Sequence, residues 1–191
     1  MHSVAATPRI RLRAFSADDV ETLIAIADDR RIADATISVP HPFGKPDAEK
    51  IIDQSMTDPR TATNLPFAVE LLSTGELIGV VALYSIDRDH GQAEISFWIG
   101  SKHEGKGLMR EAAEALINYA FDVIGMNRLE AYHMIRNTAS ERLLDRLGFR
   151  AEGYLRERVR KWGMLEDVKL WSLLASDRRP ARADGGPPLP S

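Results

Sequence analysis

The chain has 191 residues, 44% of them hydrophobic and 28% charged, which suits one globular domain around one core. A formal net charge of −3 argues against a DNA partner held by bulk positive charge. The absence of cysteine removes a disulfide framework and a thiol nucleophile. The five histidines, His2, His41, His90, His103 and His133, show no metal-ligand spacing, so no metal site is expected. No apolar run approaches the ~20 residues of a membrane span, and Met1–Val4 lacks signal-peptide character. The expectation is a cytoplasmic protein with no membrane partner.

In chain order, residues 9–14 alternate polar and apolar and predict a strand. Asp18-Asp19 opens a helix with Val20, Leu23, Ile24 and Ala27 on one face. Residues 36–46, with three prolines and a glycine, read as a loop. Pro46 starts a second helix carrying Ile51, Ile52, Ser55 and Met56. Strands are predicted at Pro66–Leu72, Leu77–Ile86 and Gln92–Ile99, joined by turns as an antiparallel meander. Residues 28–64 show no interpretable pattern beyond these signals.

The second half begins with a glycine-rich stretch, Gly100 to Gly107. A long helix follows from Leu108 to about Ile124, with Met109, Ala112, Ala113, Leu116, Ile117, Ala120, Phe121 and Ile124 on its apolar face. Gly125 stops it. Arg128–Ile135 reads as a strand, and Asn137–Leu147 as a helix with Ala139, Leu143, Leu144 and Leu147 inward, closed by Gly148. A hairpin of Phe149–Arg160 and Asp167–Leu174 completes one domain over residues 1–175. Residues 176–191, rich in proline and glycine, read as a disordered tail.

The most informative segment is Lys102-His103-Glu104-Gly105-Lys106-Gly107 between a strand and a helix. A helix N-terminus offers unpaired N–H groups and a positive dipole end, and glycine lets backbone approach a pyrophosphate closely. The spacing is neither that of a nucleoside-triphosphate loop nor that of the dinucleotide fingerprint. Taken alone, the loop is equally compatible with a tight turn.

A second block, Asn137-Thr138-Ala139-Ser140, then Leu143-Leu144 and Leu147-Gly148-Phe149, completes a pattern. Together the two blocks resemble the GNAT superfamily of N-acetyltransferases over roughly residues 8–175, nearest the branch of ribosomal-protein amino-terminal acetyltransferases. Lys102 stands where that family usually has Gln or Arg, and Leu144 where many members have a tyrosine. The resemblance implies an α+β fold: a mixed, mostly antiparallel central sheet flanked by helices, with a splayed strand pair holding acetyl-CoA. It places the cofactor arm against Phe97, Trp98, Ile99, Asn137 and Ser140. It places the pyrophosphate on the loop of Lys102, Gly105, Lys106 and Gly107 and on the helix start at Leu108 and Met109.

Amine acetylation needs a neutral amine, a donor for the developing oxyanion and a proton for the departing thiolate. Glu94 is the candidate base, since a carboxylate on a central strand is costly to bury unless paired or solvated. The alternative for Glu94 is an ion pair to Arg128 or another neighbouring arginine. Ser140 is the candidate thiolate donor, or else a helix-capping serine. Asn137 is both a good N-cap and a candidate cofactor contact through its amide. Trp98 can line the acceptor pocket or belong to the core. His133 could act as a second base by its ordinary pKa, although a lone strand histidine is more often structural. Glu166-Asp167 reads as turn chemistry or a cation attractor.

The implied reaction is acetyl transfer to a primary amine, at a protein or peptide amino terminus such as that of a ribosomal protein. The alternatives are a small amine such as a polyamine or aminoglycoside, or a CoA-binding module without turnover. Homodimer formation is left open.

Overall fold

The computed structural model describes residues 3–178. Eight strands form one sheet in the order β1-β2-β3-β4-β5-β6-β8-β7. They are β1 (Ser3–Ala6), β2 (Ile10–Arg13), β3 (Leu65–Leu71), β4 (Glu76–Asp87), β5 (Gln92–Ile99), β6 (Arg128–Met134), β7 (Arg150–Lys161) and β8 (Met164–Leu174). Every neighbouring pair is antiparallel except β5 and β6. The expected α+β architecture is therefore present.

Helices cover both faces. On one side α4 (Leu108–Asn118) lays Leu108, Ala112 and Leu116 onto Ile10, Val81, Ile95 and Leu129 of the sheet. Its expected length to Ile124 is reached by a wider π-type turn over Tyr119–Ile124, which Gly125 ends. On the other side α1 (Val20–Ala27) and α3 (Lys45–Ser55) bury Leu23, Ala27, Ala48 and Ile52 against Ala68, Val80 and Trp98. The alternation along β5 supplies both cores, Ile95 facing one and Trp98 the other.

Two elements escape the sequence reading. β1 is only four residues long and pairs with β2 through a tight turn in which Thr7 N donates to Ile10 O at 2.9 Å. The six-residue helix α2 (Arg30–Ala35) falls inside the stretch without pattern, being too short to display a period. Its one local signal is Asp29, whose side chain caps Arg31 N at 2.9 Å.

The closing hairpin is longer than expected. Both strands run on to a two-residue turn, Trp162-Gly163, with φ of 51° and 82°. Positive φ at both positions is the turn geometry that matches strand twist. Glu166-Asp167 thus lies within β8 and does not open it. In α5 (Thr138–Arg146), Leu144 is fully buried, whereas Ala139 is exposed and faces a cavity. At the end of the described chain, Ala175–Arg178 forms one helical turn, α6, with Asp177 bonded to Leu174 N and Arg150. The remainder of the expected tail, residues 179–191, lies outside the described residues. Among the described residues no helix is long and apolar enough to cross a membrane, and no acidic or histidine cluster could hold a metal.

Candidate active site

The parallel β5–β6 ladder is short. It pairs Gln92 with Arg128, Ala93 with Leu129 and Glu94 with Glu130, and then stops. β5 continues to Ile99 and β6 to Met134 without further pairing, so the edge of β5 facing β6 is left without ladder bonds beyond Glu94. The gap opens into a cavity of about 400 Å³. Glu94, Phe97, Trp98, Ile99, Gly105 and Met109 line it from one side, with Asn137 and Ser140 opposite. This is the splayed strand pair expected from the sequence.

The loop below that gap has anion-binding geometry. Gly105 and Gly107 hold φ of 72° and 74°, a region costly for a residue with a Cβ. Gly107 is the N-cap of α4 and supplies no side-chain hydrogen bond, so the first-turn N–H groups are not capped by it. A Cβ on Gly105 would meet nothing within 4 Å. The residues present therefore fit a pyrophosphate: an open backbone, a helix N-terminus and no bulk in front of it. Leu108 contributes only backbone, because its side chain is in the core. Lys102, Lys106 and Gly107 stand outside the cavity lining. Lys106 Nζ bonds Lys102 O at 2.8 Å, and Arg9 Nη1 fastens Lys106 O at 3.0 Å.

Glu94 is half-buried and makes no ion pair among the described residues. The alternative pairing with Arg128 does not occur: Arg128 bonds Glu130 at 2.8 Å and Glu152 at 2.5 Å. Burial pushes the Glu94 carboxyl above its ordinary range, and the charge of Glu130 adds to that, while Arg158 partly offsets both. Three cavities meet at Glu94. One is the gap just described. The second, about 420 Å³, lies over β4 and α3 and is walled by Val39, Phe43, Ile51, Val80 and Trp98. The third, about 310 Å³, is polar and includes Glu130, Tyr132, Gln92 and Arg158.

Ser140 is also half-buried on the gap. Its backbone N–H is capped by Asn137 Oδ1 at 3.0 Å, but its hydroxyl caps nothing. Asn137 departs from the expectation in one respect. Its amide donates to Ala35 O at 2.7 Å, tying α5 to α2 at the wall of the gap that both residues line. The capping half of its expected role is present.

His133 is held in the core rather than presented to the gap lining. Trp171 Nε1 donates to its Nε2 at 2.9 Å and its Nδ1 contacts Met134 O at 2.9 Å, so both nitrogens of this buried ring are engaged. Trp98, 9% exposed, belongs to the core and borders two cavities at once. Glu166 pairs with Arg136, and Asp167 accepts from Glu157 N at 2.8 Å, supporting a bulge in β7 where Glu157 has φ of 51°. Both acidic residues are structural.

The roof falls within residues 28–64, the stretch expected to set the pocket shape but offering no pattern from which to name residues. Arg31, Ile32, Ala35 and Ile37, from α2 and the loop after it, line the gap, and Ile37 lines all three cavities. The sequence reading missed Glu130 and Tyr132, although their alternation along β6 with buried Leu129 and Ala131 places them on the face of Glu94.

Comparison with known proteins agrees with this geometry. Residues 9–150 match the acetyltransferase (GNAT) domain. Uncharacterized N-acetyltransferase p20 of Bacillus licheniformis is 41% identical over 56% of this chain and 61% of its own length. The [ribosomal protein uS5]-alanine N-acetyltransferase of Escherichia coli is 37% identical over 56% of each chain. The chain thus spans about three fifths of the length of these curated relatives. The crystal structure of spermidine N-acetyltransferase from Vibrio cholerae, in complex with CoA and spermine, superposes with a TM-score of 0.79 at 25% identity, over 90% of this chain and 98% of that one. With the splayed strands, the glycine loop and a domain match over most of its length, the chain belongs to the GNAT acetyltransferase family, whose members use acetyl-CoA.

Proposed function

We propose that this protein transfers an acetyl group from acetyl-CoA to a primary amine, and that the amine is the α-amine of a protein or peptide. The observation that carries this reading is the position of Glu94, which has no ion pair among the described residues and stands where the cofactor gap and two further cavities meet. Acetyl-CoA supplies an acyl carbon activated as a thioester. The chain supplies the rest. Glu94 takes the proton of the incoming ammonium group. Backbone N–H groups on the β5 edge beyond Glu94 lie within reach of developing oxygen charge. The Ser140 hydroxyl faces the gap as a donor to the departing sulfur.

The α-amine is favoured by proton chemistry and by shape. An α-amine has a pKa near ~8, so roughly a tenth is neutral at pH 7, whereas for lysine the neutral share is about one in two thousand. A single half-buried carboxylate suits the first task. The cavity over α3 offers an apolar wall of Val39, Phe43, Ile51, Val80 and Trp98, beside Asp47, Lys50 and Gln54, to the residue behind the amine. The Escherichia coli relative, by its name, acts on ribosomal protein uS5, and a ribosomal-protein amino terminus fits the same description.

One observation favours a second reading. Glu94 and Glu130 both border the polar cavity, which suits a polycation, and the Vibrio cholerae structure holds spermine. Turnover of acetyl-CoA with a short peptide bearing a free amino terminus, with spermidine and with an aminoglycoside separates the readings. The peptide is expected to be preferred. For Glu94→Gln the rate should fall most below the amine pKa and partly recover above it. Superimposed pH profiles would remove Glu94 as the base, and acetylation of internal lysines alone would overturn the acceptor.

A further inference from the structure

The polar cavity of about 310 Å³ is not needed to hold acetyl-CoA or an apolar side chain, yet it opens on the candidate base. Its second carboxylate is held in a defined way. Glu130 Oε1 accepts from Arg128 Nε at 2.8 Å, and its Oε2 accepts from the Tyr132 hydroxyl at 2.6 Å. Each oxygen of a carboxylate can accept more than one hydrogen bond, so both retain capacity toward the cavity. Arg128 is shared with Glu152, so two carboxylates answer one guanidinium, and Arg158 lines the same cavity.

Glu94 and Glu130 are Cα partners on the last rung before the strands part, and registered partners project to one face of the sheet. We propose that Glu130 is a positioning residue for the acceptor: with Glu94 it forms a carboxylate pair that holds the incoming ammonium group at the mouth of the cofactor gap. This rests on the reading of Glu94 as the base. Two donors hold the oxygens of Glu130, and Glu94, with no such donor among the described residues, takes the proton. In that step an O–H bond forms at Glu94 and an N–H bond breaks at the ammonium, leaving a neutral amine beside the gap.

The charges that face Glu94 come from several elements. Tyr84 on β4 pairs with it in register, and burial pushes that phenol up to about 12, so it is neutral. Glu130 and Tyr132 project from β6, Arg158 from the β7 bulge, and Asp47 and Lys50 from α3 across the cavity over that helix. Asp47 and Lys50 oppose each other. Glu130 and Arg158 are therefore the pair that sets the field, one favouring a proton on Glu94 and one disfavouring it.

The test is the pH profile of kcat/KM for the amine, whose acid limb reports the base in the free enzyme. Glu130→Gln keeps the shape and removes the charge. It should raise KM for the amine about tenfold, the loss expected of one charge-assisted hydrogen bond. It should also move the acid limb to lower pH, while the affinity for acetyl-CoA stays unchanged. Arg158→Gln, at an exposed position, should move the same limb to higher pH. The opposite movements are what a merely structural role would not produce. An unmoved limb and unchanged KM in folded Glu130→Gln would overturn the proposal. Should that variant fail to fold, an unmoved limb in Arg158→Gln does the same. A wild-type enzyme whose profile has no acid limb would instead overturn the reading of Glu94 on which this rests.

Discussion

Trp162 Nε1 donates to Asp34 Oδ1 at 2.8 Å and so fastens the tip of the β7–β8 hairpin to the end of α2. The fastening is reinforced around it. Arg136 pairs with the same carboxylate at 3.0 Å, Arg30 lies 5.1 Å from the Trp162 ring centre, and Lys161 Nζ bonds Val39 O at 3.1 Å. Since α2 and the loop after it roof all three cavities, the hairpin holds the roof from the far end of the chain.

Trp162→Phe should therefore act on the acceptor more than on the cofactor loop. The bond is to a carboxylate, but both groups are about half exposed, so its loss should cost only ~1 kcal/mol in denaturant unfolding. KM for the amine should rise by more than the affinity for acetyl-CoA changes. Equal effects on both would mean that the roof does not shape the acceptor side.

The glycine loop can be tested without confusing charge with backbone strain. Gly105 has φ of 72° and open space before it, and both Asn and Asp tolerate that conformation. Gly105→Asn and Gly105→Asp have nearly the same shape and differ by one charge. Titration calorimetry with acetyl-CoA should find the Asp variant at least tenfold weaker than the Asn variant, through repulsion of the pyrophosphate. Equal affinities would place the pyrophosphate elsewhere.

Ser140→Ala should lower kcat several-fold and leave the acetyl-CoA dissociation constant largely intact, as expected for a contact made in the transition state. The helix should not suffer, because the cap comes from Asn137 to the backbone of residue 140. A weakened cofactor affinity with normal kcat would make Ser140 a binding residue.

A buried ionic cluster governs acid stability. Arg13, 5% exposed, bonds Asp19 at 2.8 Å and Glu70 at 2.5 Å, joining β2 to β3 and to the turn before α1. Burial pushes the Asp19 carboxyl up, but hydrogen bonds from Arg13 and Ser16 more than offset this, leaving it below its ordinary range. A depressed carboxyl contributes stability that is complete above its unfolded pKa, near ~4, and is lost as pH falls through the folded value. Urea midpoints should thus decline below about pH 4. Arg13→Ala, which leaves buried Asp19 without a cation and Glu70 with Arg11 alone, should cost about 3–5 kcal/mol at neutral pH. A loss below ~1 kcal/mol would mean that water or Arg11 already satisfies Glu70.

Local chemistry made much of this protein readable in advance. The period of Met109, Ala112, Leu116 and Ala120 dictates a helix with one buried face, and Gly105 and Gly107 require the backbone that only glycine adopts cheaply. Asn137 caps its helix, as an asparagine there should. Such features depend on neighbours a few residues away. What the tertiary structure alone decided is which distant groups meet. Arg128 could have paired with Glu94, and it instead joins Glu130 and Glu152, leaving Glu94 without an ion pair among the described residues at the junction of three cavities. The amide of Asn137 turned to Ala35 for the same reason: α2, too short to announce itself, is fixed in place by Trp162 from the β7–β8 turn, Arg136 after β6 and Asn137 at the start of α5. Periodicity and capping are written along the chain, but the charge around a carboxylate is a sum over space, and only folding determines it.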